Sequence, residues 1–171
     1  MSVIKSHVNI RLAHIADLTH IVEIHNNIIL EGGLTADMAP YQLEEKNKWF
    51  EEMTQKPFVI QVLEVDKVVA GYVYLSPWRN GRAALRHVAE ISYYLAKSFR
   101  GSGYGRKLLQ TGMDSAVKGG FKTLLAILLD SNVTSVSLLE SEGFHVAGHL
   151  PDVAELKDNV VGQFIMMKEI N

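Results

Sequence analysis

Cysteine is missing from all 171 positions, which excludes disulfides, thiolate metal sites and any cysteine nucleophile or cysteinyl acyl-enzyme. Proline is scarce, its four copies standing singly at 40, 57, 77 and 151, so no proline-rich linker marks a domain boundary. Long apolar runs are also lacking. The longest, Leu124 to Leu129, falls far short of the ~20 residues that span a bilayer, and no membrane partner is expected. Neither sign of charge dominates: 17 basic and 19 acidic side chains leave a net charge of −2, which gives no overall pull on a polyanion and argues against a nucleic-acid partner. The stretch Met1 to His7 has no apolar segment resembling a signal peptide, so a cytoplasmic location is expected. What is present is ordinary globular material, 47% apolar and 21% charged, and the length suits one domain over 1–171.

Periodicity sets out the order of elements. Val8 to Leu12 alternates as a strand, and Leu18, Ile21, Val22, His25, Ile28 and Ile29 follow at helical spacing until Gly32-Gly33 ends the run. The pattern predicts a second helix over Tyr41 to Met53 and a strand over Phe58 to Val65. Asp66-Lys67 then turns the chain into a second run, Val68 to Leu75, as an antiparallel hairpin. A strand at Ala89 to Leu95 precedes a glycine-rich turn at 101 to 105. Beyond it, a helix to Lys118 carries Leu108, Leu109, Met113 and Ala116 on one face. A buried strand, Thr123 to Leu129, leads to a helix capped by Asn132 and running towards Gly143. Two last strands are expected near Phe144 to Leu150 and Gln163 to Lys168. The order βααβββαβαββ implies an α/β (α+β) fold with a mixed, mostly antiparallel central sheet flanked by helices.

The turn is the most informative stretch. Gly101, Gly103 and Gly105 alternate between a strand and a helix, so several main-chain N–H groups can converge on one anion at a helix N-terminus, with Arg100, Arg106 and Lys107 around them. Four readings compete. A tight connection alone accounts for one or two of the glycines. A Walker A loop fails because Gly105 is followed by Arg106-Lys107-Leu108, with no hydroxyl for magnesium. A dinucleotide fingerprint has the wrong glycine spacing, although Asp130 ends the next strand as a ribose-binding acid would. The fourth reading is a coenzyme A site.

Arg100-Gly101-Ser102-Gly103-Tyr104-Gly105 resembles the acyl-CoA-binding motif Arg/Gln-x-x-Gly-x-Gly/Ala of the GNAT N-acetyltransferase superfamily. Asn132-Val133-Thr134-Ser135 with Glu142-Gly143-Phe144 looks like the superfamily's next block. Within it the chain is most similar to the phosphinothricin and methionine sulfoximine acetyltransferases. That likeness covers nearly the whole length and is carried by Ile10-Arg11, Ala16-Asp17-Leu18, Trp49-Phe50, Gly71-Tyr72, Leu75 to Arg79, Arg86 to Glu90 and Gly148-His149-Leu150. The resemblance implies an acetyl-CoA-dependent enzyme that acetylates a small-molecule amine acceptor, and a homodimer. It implies that Tyr93, Tyr94 and Leu95 hold the pantetheine arm, that Arg100, Gly101, Ser102, Gly103, Tyr104, Gly105 and Arg106 receive the pyrophosphate, and that Asn132 contacts the coenzyme as well as capping its helix. Arg79, Asn80, Gly81 and Arg86, with Glu90, Ile91 and Ser92 opposite, are implied for the acceptor.

With no cysteine available, direct attack by the amine in a ternary complex is the simplest mechanism. Strand parity puts Arg86, Val88, Glu90, Ser92 and Tyr94 on one face, and Glu90 is the candidate base if burial raises its pKa. The alternative is a solvated carboxylate or a partner for Arg86. The seven histidines form no ligand cluster, and no metal is expected.

Three departures stand out. Leu139 occupies the place where the family carries a tyrosine or histidine able to donate a proton, leaving Tyr94 as a substitute or an unaided thiolate. Leu34-Thr35-Ala36-Asp37 lacks the family's aromatic. Leu156 to Gly162 lacks its Lys-Phe-Gly-Arg-Trp block. Two other functions therefore stay open here: a non-catalytic coenzyme A-binding or sensing module, and a nucleotide-dependent enzyme using Asp130.

Overall fold

The computed structural model describes residues 6–170. Strand β1 is Val8–Leu12, helix α1 Leu18–Glu31, α2 Asn47–Met53, β2 Val59–Val65, β3 Val68–Pro77, β4 Val88–Leu95, α3 Tyr104–Lys118, β5 Thr123–Leu129, α4 Val133–Ser141, β6 His145–Glu155 and β7 Val160–Glu169. Short 3-10 turns at Ile15–Asp17, Leu43–Lys46, Ala83–Leu85 and Lys97–Phe99 punctuate this order. The expected succession βααβββαβαββ is the one observed.

All seven strands join one sheet in the order β1-β2-β3-β4-β5-β7-β6. Helices α3 and α4 cover one face, where Leu108, Leu109, Met113, Ala116 and Leu139 pack on Val73, Leu75, Ala89 and Ile91. The other face carries α1 and α2, whose Leu18, Ile21, Ile24, Ile28, Phe50 and Met53 pack on Ile60, Val62 and Tyr72. Burial on both faces explains why β3 reads as a continuous apolar run rather than as an alternation. A Cβ at Gly71 would lie 2.6 Å from the Tyr94 carbonyl oxygen, so only glycine lets β4 pass this close. Arg11 of β1 ties the start of α1 to β2, at 2.7 Å from both Asp17 and Glu64.

Two expectations need correction. The helix predicted over Tyr41 to Met53 is a 3-10 turn followed by the shorter α2, and Tyr41 lies outside both. Its N–H donates to Asn26 Oδ1 at 2.8 Å and its carbonyl accepts from Asn26 Nδ2 at 2.9 Å, so a side chain of α1 takes the groups a helix would have used. The last two strands run further than 144–150 and 163–168 because they form a long hairpin at the sheet edge. There β6 is exposed nearly throughout and offers no apolar alternation, and an edge strand tolerates Pro151.

The decisive feature is a departure from regular pairing. Strand β4 runs antiparallel to β3 over Ala89 to Leu95, and β5 pairs with β7 along its whole length. Between β4 and β5 the parallel pairing joins only Val88, Ala89 and Glu90 to Thr123, Leu124 and Leu125. Beyond Glu90 the two strands splay and a wedge opens between them, edged by main-chain polar groups that no strand satisfies. No helix among the described residues is long and apolar enough to cross a membrane.

Candidate active site

The glycine turn sits where β4 hands over to α3, beside the mouth of the wedge. Gly101 and Gly103 have φ of +79° and +81°, a left-handed conformation that a β-carbon disfavours by about 1–2 kcal/mol per residue. Gly103 is the N-cap of α3 and offers no capping side chain. Among the described residues, no protein acceptor takes the amides of Gly101, Ser102 and Gly103. The first turn of α3, Tyr104 to Arg106, adds helix-terminal N–H groups of its own. This is a preformed anion cradle made of main chain, and its residues fit the diphosphate of a coenzyme.

The flanking cations behave differently from the expectation that they surround the anion freely. Arg100 forms a two-pronged pair with Glu31 at 2.8 and 2.9 Å and donates to the Leu95 carbonyl at 3.1 Å. Arg106 is held by Glu142 and by Ser141 Oγ. Carboxylates of α1 and of the α4 end thus take both guanidinium groups, which brace the turn against two helices. The cradle's attraction for an anion rests mainly on amides and the helix end.

A groove of about 460 Å³ leads from Gly101, Gly103 and Gly105 to Tyr93, Tyr94, Asn132 and Ser135. There it meets a cavity of about 230 Å³ inside the wedge, bounded by Glu90 to Tyr94, by Ala126 to Leu129 and by Leu34 to Ala36 of the loop after α1. Leu34, Tyr93, Tyr94, Asn132 and Ser135 line both spaces. Asn132 caps α4, its Oδ1 accepting from Ser135 N at 3.2 Å.

Alternation along β4 splits the site into two faces. Ala89 and Ile91 are buried in the α3 core, so of Ile91 it is the main chain and not the side chain that the acceptor side can meet. Glu90, Ser92 and Tyr94 lie on the α1 face. Burial pushes the Glu90 carboxyl up, and no ion pair joins it to Arg86 among the described residues. The Tyr94 ring stacks on Tyr72 with centroids 5.1 Å apart and meets His25 edge-on at 4.7 Å. Its phenol is driven well above the ordinary range by burial and by the neighbouring Tyr74, Asp37 and Glu90.

Behind this face lies a network that the sequence did not announce. His25 Nδ1 shares a hydrogen bond with the Tyr72 hydroxyl at 2.8 Å, and Nε2 shares one with Asp37 Oδ2 at 2.7 Å. The Tyr41 hydroxyl donates to Asp37 Oδ1 at 2.8 Å. Burial pushes the Asp37 carboxyl up, but the hydrogen bonds from His25, Tyr41 and Thr35 outweigh it and leave the group below its usual range. The signal available in the sequence was a polar pair, Thr35 and Asp37, just past the Gly32-Gly33 break.

The arginine loop is not gathered into the wedge. Arg79, Asn80, Gly81 and Arg86 line a separate cavity of about 330 Å³ with Pro57, Phe58 and Phe121, at the end of the sheet where β4 begins. Glu90 does not line that cavity. Asp130, the candidate ribose acid, has both oxygens engaged by Gly162 N at 3.0 Å and His149 Nε2 at 2.9 Å. It fastens the β6–β7 hairpin to β5, so the dinucleotide reading loses the residue that supported it, and the largely antiparallel sheet counts against it as well. Among the described residues, no three histidine, aspartate or glutamate side chains converge as a metal site.

Comparison with known proteins agrees with this geometry. The family model of the acetyltransferase (GNAT) family matches residues 23–144. The chain is 32% identical to the L-amino acid N-acyltransferase MnaT of Escherichia coli over 85% of its own length and 84% of the relative's. It is 31% identical to the L-methionine sulfoximine/L-methionine sulfone acetyltransferase of Salmonella typhimurium, covering 84% of each chain. Among solved structures, a phosphinothricin acetyltransferase of Sinorhizobium meliloti in complex with acetyl-CoA superposes with a TM-score of 0.91 at 27% identity, over 96% of this chain and 89% of that one.

Proposed function

The chain belongs to the acetyltransferase (GNAT) family, and on that premise we propose that it moves the acetyl group of acetyl-CoA directly onto the α-amine of a small amino-acid-like acceptor of the phosphinothricin or methionine sulfoximine type. The observation that carries this reading is the wedge between β4 and β5, into which both the groove from the glycine turn and the half-buried Glu90 open. The acceptor class rests on the names of the relatives.

In this reading the amides from Gly101 to Arg106 hold the diphosphate, and the free edge of Tyr93 to Leu95 and the start of α4 at Asn132 hold the pantetheine arm. Acetyl-CoA supplies a thioester whose carbonyl carbon accepts an amine and whose thiol departs. Glu90 takes the proton that the attacking ammonium must shed. Its half-buried carboxyl holds a proton more tightly than a solvated one, which makes it the stronger base. Because the group must be ionised to act, the rate falls as pH drops through its raised pKa. Ser92 and the main chain of Ile91 border the acceptor. Arg79, Asn80, Gly81 and Arg86 line their own cavity where β4 begins, and their part in this reading is to draw in an acceptor carboxylate that extends out of the wedge, a guanidinium fork being suited to that group.

Homodimer assembly and a cytoplasmic location complete the proposal. Strand β6 ends the sheet with an unpaired edge and exposes Val146, Leu150 and Val153, a surface that a second copy can cover. Sedimentation at low micromolar concentration tests it: a single 19.1 kDa species contradicts the dimer.

The function itself is tested by incubating the protein with acetyl-CoA and a panel of amino acids and analogues, following thiol release alongside coenzyme binding. Turnover of any α-amine supports the reading. Tight coenzyme binding with no turnover favours the binding-module alternative, to which the buried Leu139 lends its one specific observation.

A further inference from the structure

A thiol leaving the wedge needs a proton, and midway along α4 it finds no acidic group, because Leu139 is packed there with 1% of its surface exposed and the Ser135 hydroxyl at the helix start is a far weaker acid than a phenol. We propose that the Tyr93 phenol, on β4 itself, donates the proton to the departing sulfur. This rests on the acetyltransferase reading above and adds a catalytic residue to it.

Placement is the first argument. Tyr93 lines both the groove and the wedge cavity, at their junction, together with Ser135 and Asn132 at the start of α4. It packs on the same core as Leu139, so its hydroxyl serves the side of the wedge that Leu139 leaves without a donor. Glu90 and Tyr93 stand three apart along one strand and therefore project from opposite faces. A thioester between the strand edges is flanked by a base on one face and an acid on the other, and the two protons need not compete for one carboxylate. Tyr94 is on the Glu90 face, stacked on Tyr72, which puts it on the side the amine approaches from.

The second argument is an unanswered hydroxyl. The Tyr93 oxygen is buried and makes no hydrogen bond among the described residues, a condition that costs about 1–3 kcal/mol wherever nothing relieves it. A sulfur lone pair in the wedge relieves it. Burial raises the phenol, and Ser135, whose hydroxyl lies beside it without completing a hydrogen bond, offsets part of that rise, so the phenol holds its proton at neutral pH.

The step balances as follows. The amine nitrogen forms a bond to the acetyl carbon, and the carbon–sulfur bond breaks with its electron pair staying on sulfur. The ammonium's first proton has already passed through Glu90 to solvent, so the nitrogen sheds its second proton to Glu90 while the phenol's proton passes to sulfur, giving the amide and a free thiol. Glu90 then returns its proton to solvent and Tyr93 regains one through the groove.

Tyr93→Phe is the test, run beside the wild type on the same amine panel. The expected variant keeps a thermal midpoint equal to or above the wild type, since an unpaired hydroxyl is removed. It binds coenzyme A within about twofold, leaves KM for acetyl-CoA unchanged and loses about 10²-fold in kcat. The alkaline fall of the wild-type kcat profile disappears in the variant. Ultraviolet difference titration of the two proteins shows one phenol ionising at the pH of that fall. A variant with kcat within threefold of wild type across the pH range overturns the proposal and leaves the enzyme reading intact. So does a loss confined to stability and coenzyme affinity, which marks a packing role. A wild type inert towards the whole panel overturns both.

Discussion

The two ends of the wedge are built from different materials. At the end proposed for the coenzyme, the polar groups on offer are main-chain amides between Gly101 and Arg106 and the unpaired edge of β4, and the side chains nearby serve as bracing, as Arg100 does against Glu31. At the acceptor end the walls are side chains, with Glu90, Ser92 and Tyr94 backed by the His25, Asp37, Tyr41 and Tyr72 network. Main-chain recognition depends on backbone shape alone and tolerates substitution at every position that need not be glycine. Side-chain recognition depends on each group named. The first end is thus suited to a ligand that never changes and the second to one that differs between relatives.

Substitutions can break this contrast, and the largest effect belongs to the acceptor end. Glu90→Gln is expected to cost about 10²-fold or more in kcat/KM at neutral pH. The deficit shrinks as rising pH deprotonates the amine in solution, while coenzyme affinity is unchanged by calorimetry. The same variant carries a stability signature. A carboxyl raised in the folded state opposes folding once it must ionise, so Glu90→Gln melts at or above the wild type at neutral pH, and the difference vanishes below the unfolded carboxylate range.

Asp37→Asn comes next. It weakens the hydrogen bonding of the buried His25, costing about 1–3 kcal/mol, towards the lower figure because a third of the Asp37 side chain is exposed. Because the Asp37 carboxyl is held below its usual range, its contribution is present above the unfolded pKa and is lost as pH falls through the folded one. The gap in melting temperature between wild type and variant therefore closes in acid. Acceptor KM rises while acetyl-CoA KM stays put.

Gly103→Val probes the other end. It places a β-branched residue at φ +81°, and ~1–2 kcal/mol of strain appears as roughly tenfold weaker coenzyme binding, with acceptor KM little changed. The smallest effect is expected for Glu31→Gln, which halves the charge pairing of a bracing arginine that is itself a third exposed. It should shift coenzyme affinity by about threefold or less. A larger gain in affinity would show that Glu31 screens Arg100 from the phosphates, and the contrast between amide cradle and side-chain brace would blur.

What was legible in the sequence follows the same division. The order of elements and the ends of β1, α1 and β5 came from periodicity, which is local. The cradle came from three glycines within five residues, also local. The pairing of Arg100 with Glu31 spans 69 positions and that of Arg106 with Glu142 spans 36, and nothing in the composition around the turn foretells either. Tyr41 reads as helical until Asn26, 15 residues earlier, claims its backbone. His25 reads as one more residue of an apolar helix face until Asp37 meets it. The arginine loop was set opposite Glu90 by the family resemblance, whereas the chain turns it into its own cavity at the start of β4. Long-range pairings between polar side chains are chosen by the fold, and a fold class fixes which strands are neighbours without fixing which side chains meet.

Amide hydrogen exchange with and without saturating acetyl-CoA tests the central claim most directly. The account predicts slowed exchange at the amides of Gly101 to Arg106 and along Ile91 to Leu95, with the Arg79 to Arg86 loop unaffected. Unchanged exchange at the glycine turn in protein that demonstrably binds acetyl-CoA would contradict it.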